Sequence, residues 1–112
     1  MIVRSVRLGD LAQARSGDKG DRANIGVTAR DRASYELLRR YLTVEVAARF
    51  LKPMNVGNIQ RYELPGIHAL NFVIERALAG GASGSTRLDT QGKALASAFL
   101  EVSVPIDDSK ES

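Results

Sequence analysis

Apolar and polar residues alternate along two stretches of the chain, which is the pattern of a β-strand with one buried face. Residues 24–30 carry apolar side chains at every second position, and residues 100–106 do the same. Residues 2–8 are rich in β-branched side chains and predict a short leading strand. Pro105 cannot donate a backbone hydrogen bond, so the last strand is expected to end there or to lie at a sheet edge.

Helical spacing replaces this alternation after residue 30. Asp31 stands where an N-cap is expected, since its carboxylate can accept a hydrogen bond from a free amide in the first turn. Thr43 predicts the cap of a second helical stretch, which Pro53 and Gly57 should end. The apolar residues that indicate the two helices are Leu37, Leu38, Tyr41 and Leu42 in the first and Val44, Ala47, Ala48 and Leu51 in the second.

Residues 56–78 fit two interpretations. One is a helix, with an apolar stripe formed by Ile67, Leu70, Ile74 and Leu78. The other is a hairpin, whose second strand would place Leu70, Phe72, Ile74 and Leu78 on one face. Pro65-Gly66 favours the hairpin, because proline presets φ and glycine accepts a positive φ at a turn.

The predicted order from residue 24 is strand, helix, strand, strand, helix, strand, where the second helix is a short one within residues 87–98. This order predicts an α+β fold, a ferredoxin-like βαββαβ two-layer sandwich with an extra N-terminal strand. The usual strand order of that fold is 4-1-3-2, which would put the last strand beside strand 24–30. We expect one domain over residues 1–106 and a flexible polar tail over residues 107–112, because 112 residues suffice for one core.

Charge and composition limit the kinds of partner that the chain is expected to bind. The net charge of +3 suggests an anionic partner. Aromatic residues make up only 5%, and no aromatic-rich strand offers bases a stacking surface, so nucleic acid is disfavoured. The sequence has no apolar run long enough to span a membrane. It also has no cysteine, which excludes disulfides and thiol catalysis and fits the cytoplasm.

Two polar, glycine-rich stretches provide the candidate site. We interpret residues 14–21 and residues 80–93 as loops, and the predicted topology brings them to one edge of the sheet. Glycine lets backbone amides turn inward there, and basic side chains can pair with an anion. The same composition also fits loops that only stabilise themselves. The ligand-binding candidates are Arg15, Ser16, Asp18, Lys19, Asp21, Asn24, Arg87, Asp89, Gln91 and Lys93, and Arg22 lies beside them, directly after the first stretch.

Metal and catalytic roles receive little support. Asp18 and Asp21 are weak candidates for a cation site, since two carboxylates without a third ligand hold Mg²⁺ poorly. We therefore expect no metal and no cofactor. His68 is the only histidine, and the Pro65-Gly66 turn puts it at the opposite edge, where we expect it to pack or hydrogen-bond. No residue receives a catalytic role. The aromatic residues at core spacings are expected to belong to the core; they are Tyr35, Tyr41, Phe50, Phe72 and Phe99.

Three blocks of the sequence resemble the AtuA-like ferredoxin-fold domain, the C-terminal portion of acyclic terpene utilisation AtuA-type proteins, which also occurs as a free-standing chain. They cover residues 14–30, 62–81 and 87–102 and include the motifs RSGDKGD, NIG and LDTQGK. The resemblance extends over roughly residues 5–104. The family's motif residues are matched here at Arg15, Ser16, Gly17, Asp18, Lys19, Gly20, Asp21, Asn24, His68, Asn71, Asp89, Gln91, Gly92 and Lys93.

This resemblance implies a ferredoxin-like fold and a place in bacterial catabolism of acyclic terpenes and related branched acids, through acyl-CoA intermediates. It carries no residue-by-residue catalytic assignment. Any activity that requires the large N-terminal domain fused to it elsewhere in the family would have to come from another subunit. We therefore expect a small cytoplasmic accessory subunit of a catabolic enzyme, with a larger AtuA-type subunit or further copies of itself as partners and a small anionic ligand. The alternative is a non-catalytic dimerising or docking module.

Overall fold

The computed structural model describes residues 3–19, 22–54, 56–75 and 94–107. Within these ranges the chain forms strands and helices in mixed order, and the expected α+β class is confirmed. The strands are β1 (Val3–Arg7), β2 (Ala12–Lys19), β3 (Arg22–Ala29), β4 (Ile59–Leu64), β5 (Ala69–Glu75) and β6 (Ser103–Asp107). The helices are α1 (Arg32–Tyr41), α2 (Val44–Leu51) and α3 (Ala94–Phe99).

The strands form two antiparallel sheets. The larger sheet has the order β2-β3-β5-β4, and β1 pairs with β6 in a separate two-stranded sheet. Strands β3 and β5 are therefore the central strands of the larger sheet. The hairpin interpretation of residues 56–78 is confirmed, since β4 and β5 pair from Leu64↔Ala69 to Ile59↔Ile74. Leu78 lies outside the described residues.

The predicted strand order was wrong in one respect. The place beside β3 belongs to β2, whose pairing runs from Ala12↔Ala29 to Lys19↔Arg22, and not to the last strand. The part of the glycine-rich stretch up to Lys19 was interpreted as a loop but is an edge strand. An edge strand buries less apolar surface than a central strand, so the small residues Ala12 and Ala14 suffice for its core face. The charged residues and glycines among them make the alternation of apolar and polar residues hard to detect in the sequence.

The last strand contributes to the core from the second sheet. Val104 and Ile106 of β6 are fully buried. Among the described residues β6 pairs with β1 alone, and Pro105 is exposed opposite Ser5, which agrees with its predicted edge position. Strand β6 ends at Asp107, where the Tyr41 hydroxyl donates to the backbone carbonyl at 2.9 Å. Asp107, the first residue of the predicted tail 107–112, is therefore the last residue of β6, and residues 108–112 lie outside the described part of the chain.

Both predicted N-caps are confirmed. The Asp31 carboxylate accepts a hydrogen bond from the Ser34 amide at 2.8 Å, and the Thr43 hydroxyl accepts one from the Val46 amide at 3.2 Å. Helix α2 gives way to a 3-10 turn over Lys52–Met54, which contains Pro53. In the described ranges no helix has the length and apolar character needed to cross a bilayer.

The core lies between the helices and one face of the larger sheet. The rings of Phe72 and Phe99 meet edge to face with centroids 5.8 Å apart, and the Phe50 and Phe99 centroids are 5.0 Å apart. Burial of one such side chain contributes about 1.5–3 kcal/mol. The prediction that Tyr35, Tyr41, Phe50, Phe72 and Phe99 belong to the core is confirmed, with Tyr41 and Phe50 partly buried at its margin.

One arginine ties the helical layer to the sheet. The Arg61 guanidinium on β4 donates to the carbonyls of Arg39 at 3.0 Å and Leu42 at 2.9 Å, and to the Glu63 carboxylate at 2.9 Å. The last carbonyls of a helix lack intrahelical donors. Arg61 therefore satisfies the C-terminal end of α1 and fixes it against β4.

We expect the cap of α1 to make folding stability depend on pH. The hydrogen bonds from Ser34 lower the pKa of Asp31 below its ordinary value of 3.8. The stabilisation is therefore present above pH 3.8 and is lost as the pH falls through the folded pKa. Thermal unfolding of Asp31→Ala should show a lower Tm than the wild type at pH 7 and a shrinking difference below pH 3.8. Thr43→Ala, at the uncharged cap of α2, should show a constant difference, and the same pH dependence in both variants would contradict the assignment.

Candidate functional site

Strict alternation divides the larger sheet into a covered and an open face. Along β3, Ala23, Ile25, Val27 and Ala29 are buried beneath the helices, and the residues between them point to the other side. The cross-strand pairings carry the same alternation to the neighbouring strands, except that Ala69, which is on the second side by register, is buried. We call the second side the open face. Its residues are Gln13, Arg15 and Gly17 on β2, Arg22, Asn24, Gly26 and Thr28 on β3, Asn71, Val73 and Glu75 on β5, and Gln60, Tyr62 and Leu64 on β4.

A pair of carboxamides lies at the centre of the open face. The Asn24 side-chain nitrogen donates to the Asn71 side-chain oxygen at 2.9 Å, and this bond joins β3 to β5 diagonally across the pairing Gly26↔Asn71. Both side chains are half-buried. Among the described residues, the Asn71 nitrogen and the Asn24 oxygen have no further partner, so the pair offers one amide donor group and one acceptor to a ligand.

Two glycines lie beside this pair, and one of them makes room for it. A Cβ at Gly17 would lie 2.6 Å from the Asn24 side-chain oxygen, closer than such atoms approach. A Cβ at Gly26 would lie 3.9 Å from the Asn71 side-chain oxygen, an ordinary contact distance. The missing side chain at Gly17 is therefore what allows Asn24 its observed position, whereas Gly26 only leaves space beside Asn71.

A depression of about 410 Å³ extends from the carboxamide pair towards β4. It is lined by Arg22, Asn58, Gln60, Tyr62, Asn71, Val73 and Glu75. Within it the Tyr62 hydroxyl donates to the Gln60 side-chain oxygen at 2.6 Å. Arg22 and Glu75 occupy paired positions at one end, so the lining carries one charge of each sign. The depression is consequently polar and close to neutral, and it offers amide and hydroxyl groups.

The structure assigns positions to only some of the predicted site residues. Arg15 and Asn24 lie on the open face, together with Arg22. Ser16 is half-buried and pairs with the buried residue Ile25, so its side chain belongs to the covered face and not to the face of Arg15. The backbone of Asp18 and Lys19 belongs to β2, and their side chains lie outside the described part. Asp21, Arg87, Asp89, Gln91 and Lys93 also lie outside it, so the convergence of the two stretches stays a prediction.

Sequence reasoning missed the contribution of β4 and β5. Asn71 matches the family motif, but neither Asn71 nor Gln60 and Tyr62 are among the candidate site residues that the sequence predicts. Asn71 interrupts a buried run, since Leu70 and Phe72 on either side are fully buried. A polar residue between two buried apolar residues of a central strand indicates a side chain on the opposite face, and this pattern is visible in the sequence. The hairpin register then places Tyr62 beside Asn71 on that face.

No metal centre emerges from the described residues, which contain no group of three or more His, Asp or Glu side chains able to hold an ion. His68 adopts a left-handed backbone conformation, with φ 54°, just after the 3-10 turn Pro65–Ile67. Its ring lies 5.7 Å from that of Tyr35, which confirms the expectation of a packing residue.

The Tyr35 side chain belongs to the covered side of the sheet. Its hydroxyl is buried without a hydrogen-bond partner among the described residues. Burial, and secondly the nearby Glu63 carboxylate, raises the pKa of Tyr35 above its ordinary value. This phenol therefore stays protonated at neutral pH, and it lies away from the open face.

Comparison with known proteins identifies one family. The family model for the AtuA ferredoxin-like domain matches residues 6–105. Searches of curated proteins and of solved structures returned no significant match.

Gly17→Ala and Gly26→Ala test the role of the glycines in holding the carboxamide pair. In Gly17→Ala the new methyl group should displace the Asn24 side chain and break its bond to Asn71, with a change in unfolding free energy below about 1 kcal/mol, because a flexible side chain can move. The side-chain NH₂ resonances of Asn24 in a ¹⁵N–¹H spectrum should shift. Gly26→Ala should leave them in place, and equal shifts in the two variants would refute the assigned role.

Proposed function

The chain belongs to the AtuA ferredoxin-like domain family, and from that premise we propose that it is a cytoplasmic accessory subunit of a catabolic enzyme acting on acyl-CoA or related organic acids. The larger chain of that enzyme would be an AtuA-type subunit. In this proposal the open face of the sheet supplies binding groups to a site that the larger subunit completes.

The observation that carries the proposal is the carboxamide pair Asn24–Asn71 between two arginines of the same face. Arg15 lies in the same cross-strand row as Asn71, and Arg22 lies two positions from Asn24. Neither guanidinium forms an ion pair with a described residue. Guanidinium and amide N–H groups together form the charge-assisted hydrogen bonds that hold a carboxylate or a phosphate. The face is therefore suited to orienting an acidic substrate.

The side chains that predominate on the described open face are groups that bind a ligand. Amides, guanidinium groups and the Tyr62 hydroxyl position a ligand, and the two-layer fold leaves them on a broad surface. Enzymes usually surround their substrates in deep clefts. A second chain that covers the open face would create such a cleft and would supply the reacting groups.

The test begins with tagged wild-type chain captured from its host together with its partners. The complex should contain a larger subunit and turn over acyl-CoA substrates. Arg15→Ala in the assembled complex should lower kcat/KM by about tenfold or more, as expected for the loss of a hydrogen bond to a charged group. The matched control is Arg32→Ala, which removes an exposed arginine from the first turn of α1 on the other side of the molecule. Intact assembly with unchanged kcat/KM in Arg15→Ala would contradict the proposal.

A second candidate function, a non-catalytic docking module, is favoured by one observation. Tyr62, Leu64 and Ile67 expose 47%, 42% and 64% of their surface around one end of the β4–β5 hairpin. Exposed apolar side chains that lie together mark protein contact surfaces. In this interpretation the larger subunit packs on that end of the hairpin, and the polar side chains of the open face only set the orientation of the larger subunit.

Leu64→Ser combined with Ile67→Ser tests the docking module. The double variant should weaken association with the larger subunit by about tenfold or more in sedimentation velocity, since two buried apolar contacts are lost. Val3→Ser, which removes an equally exposed apolar residue (56%) from β1, should have no effect. If the double variant binds the larger subunit as tightly as the wild type, the docking surface lies elsewhere.

A further inference from the structure

Resting on the proposed function, we infer that the depression on the open face binds an uncharged chain of amide groups, the chemistry of the pantetheine arm of an acyl-CoA. The inference concerns the part of the substrate that this chain holds. It assigns the Gln60 and Asn71 side chains as donors to two carbonyl oxygens of the ligand.

The orientation of the two carboxamides carries this inference. The Gln60 side-chain oxygen already accepts from the Tyr62 hydroxyl at 2.6 Å, and the Asn71 side-chain oxygen accepts from Asn24 at 2.9 Å. Each bond occupies the acceptor end of the carboxamide and leaves its NH₂ group for another partner. The depression therefore contains two NH₂ groups that these hydrogen bonds leave available to a ligand.

The positions of the two donors suit a short chain with two carbonyls. Asn71 pairs with Tyr62, and Gln60 pairs with Val73, so Gln60 and Asn71 are diagonal neighbours on adjacent strands. The Cα atoms of such diagonal neighbours stand about 7–8 Å apart across the two strands, within reach of long side chains. Two amide carbonyls joined by a two-methylene linker, as in pantetheine, can meet both donors. Val73, half-buried between them, offers an apolar contact to the methylene groups.

The charges around the depression favour a neutral ligand at its centre. Arg22 and Glu75 face each other in the register at one end, so their fields largely cancel there. Asn58 adds a third carboxamide to the lining. A carboxylate or phosphate is better placed beside Arg15, outside the depression, than at its centre, where it would meet the Glu75 carboxylate as well as the Arg22 guanidinium. An uncharged amide chain meets no such opposing charge.

The experiment is a ¹⁵N–¹H titration of the full chain, observing side-chain NH₂ resonances, with three probes. Pantetheine is the uncharged amide chain, coenzyme A carries the same chain with its phosphates, and adenosine 3′,5′-bisphosphate provides the anionic part alone. The chain has no cysteine, so the probe thiol cannot form a mixed disulfide with it. Pantetheine and coenzyme A should both shift the resonances of Gln60 and Asn71.

Two glutamine variants provide the matched comparison. Gln60→Ala should weaken pantetheine binding by about three- to tenfold, as expected for one lost hydrogen bond. Gln13→Ala removes the same side chain from the same face at the opposite edge strand, outside the depression, and should leave the affinity unchanged. The inference is overturned if only the bisphosphate shifts these resonances, if no probe does, or if the two variants weaken binding equally.

These outcomes are separable from those of the proposed function. If pantetheine does not bind but Arg15→Ala still impairs the assembled enzyme, the subunit role stands and the amide-chain assignment fails. If pantetheine binds as expected but Arg15→Ala leaves turnover unchanged, the depression is a ligand site and the proposed role of the face in catalysis fails.

Discussion

The alternation of side chains along β3 and β5 is the constraint on which the rest of the structure depends. Each strand buries every second residue completely under the helices, with Ile25 and Val27 on β3 and Phe72 and Ile74 on β5. A shift of register by one residue would turn these side chains to the other face. Burial of the apolar half therefore fixes the polar half in place. Asn24 and Asn71 lie on the same face, diagonally across the β3–β5 pairing, because Ile25 and Phe72 are held in the core.

The same logic explains how far the sequence predicts the structure. The N-caps at Asp31 and Thr43, the hairpin turn and the buried aromatic residues follow from local chemistry or from strong alternation, and all are confirmed. The pairing partner of β3 does not follow, because β2 buries only small residues and carries charges at its other positions. An edge strand needs little apolar surface, so its sequence differs little from that of a polar loop.

For a related reason, the sequence predicts only part of the site. Arg15 and Asn24 were singled out because they lie in a conspicuously polar stretch, but Asn71 lies in an apolar run and Gln60 and Tyr62 in an ordinary hairpin. Their significance arises from the sheet register, which brings residues distant along the chain into adjacent rows. The absent side chain at Gly17 is likewise meaningful only once Asn24 is seen beside it. In physical terms, the open face is a product of long-range pairing, and single-sequence patterns report mainly local structure.

The most direct measurement of whether the open face is the functional surface is hydroxyl-radical footprinting of the chain alone and within its native complex. Tyr62 is 47% exposed on the open face, and Met54 is partly exposed on the helical side. If the open face receives the larger subunit and its substrate, oxidation of Tyr62 should fall several-fold in the complex while oxidation of Met54 stays unchanged. Protection of Met54 with undiminished oxidation of Tyr62 would show that the functional contact is made by the opposite side of the molecule.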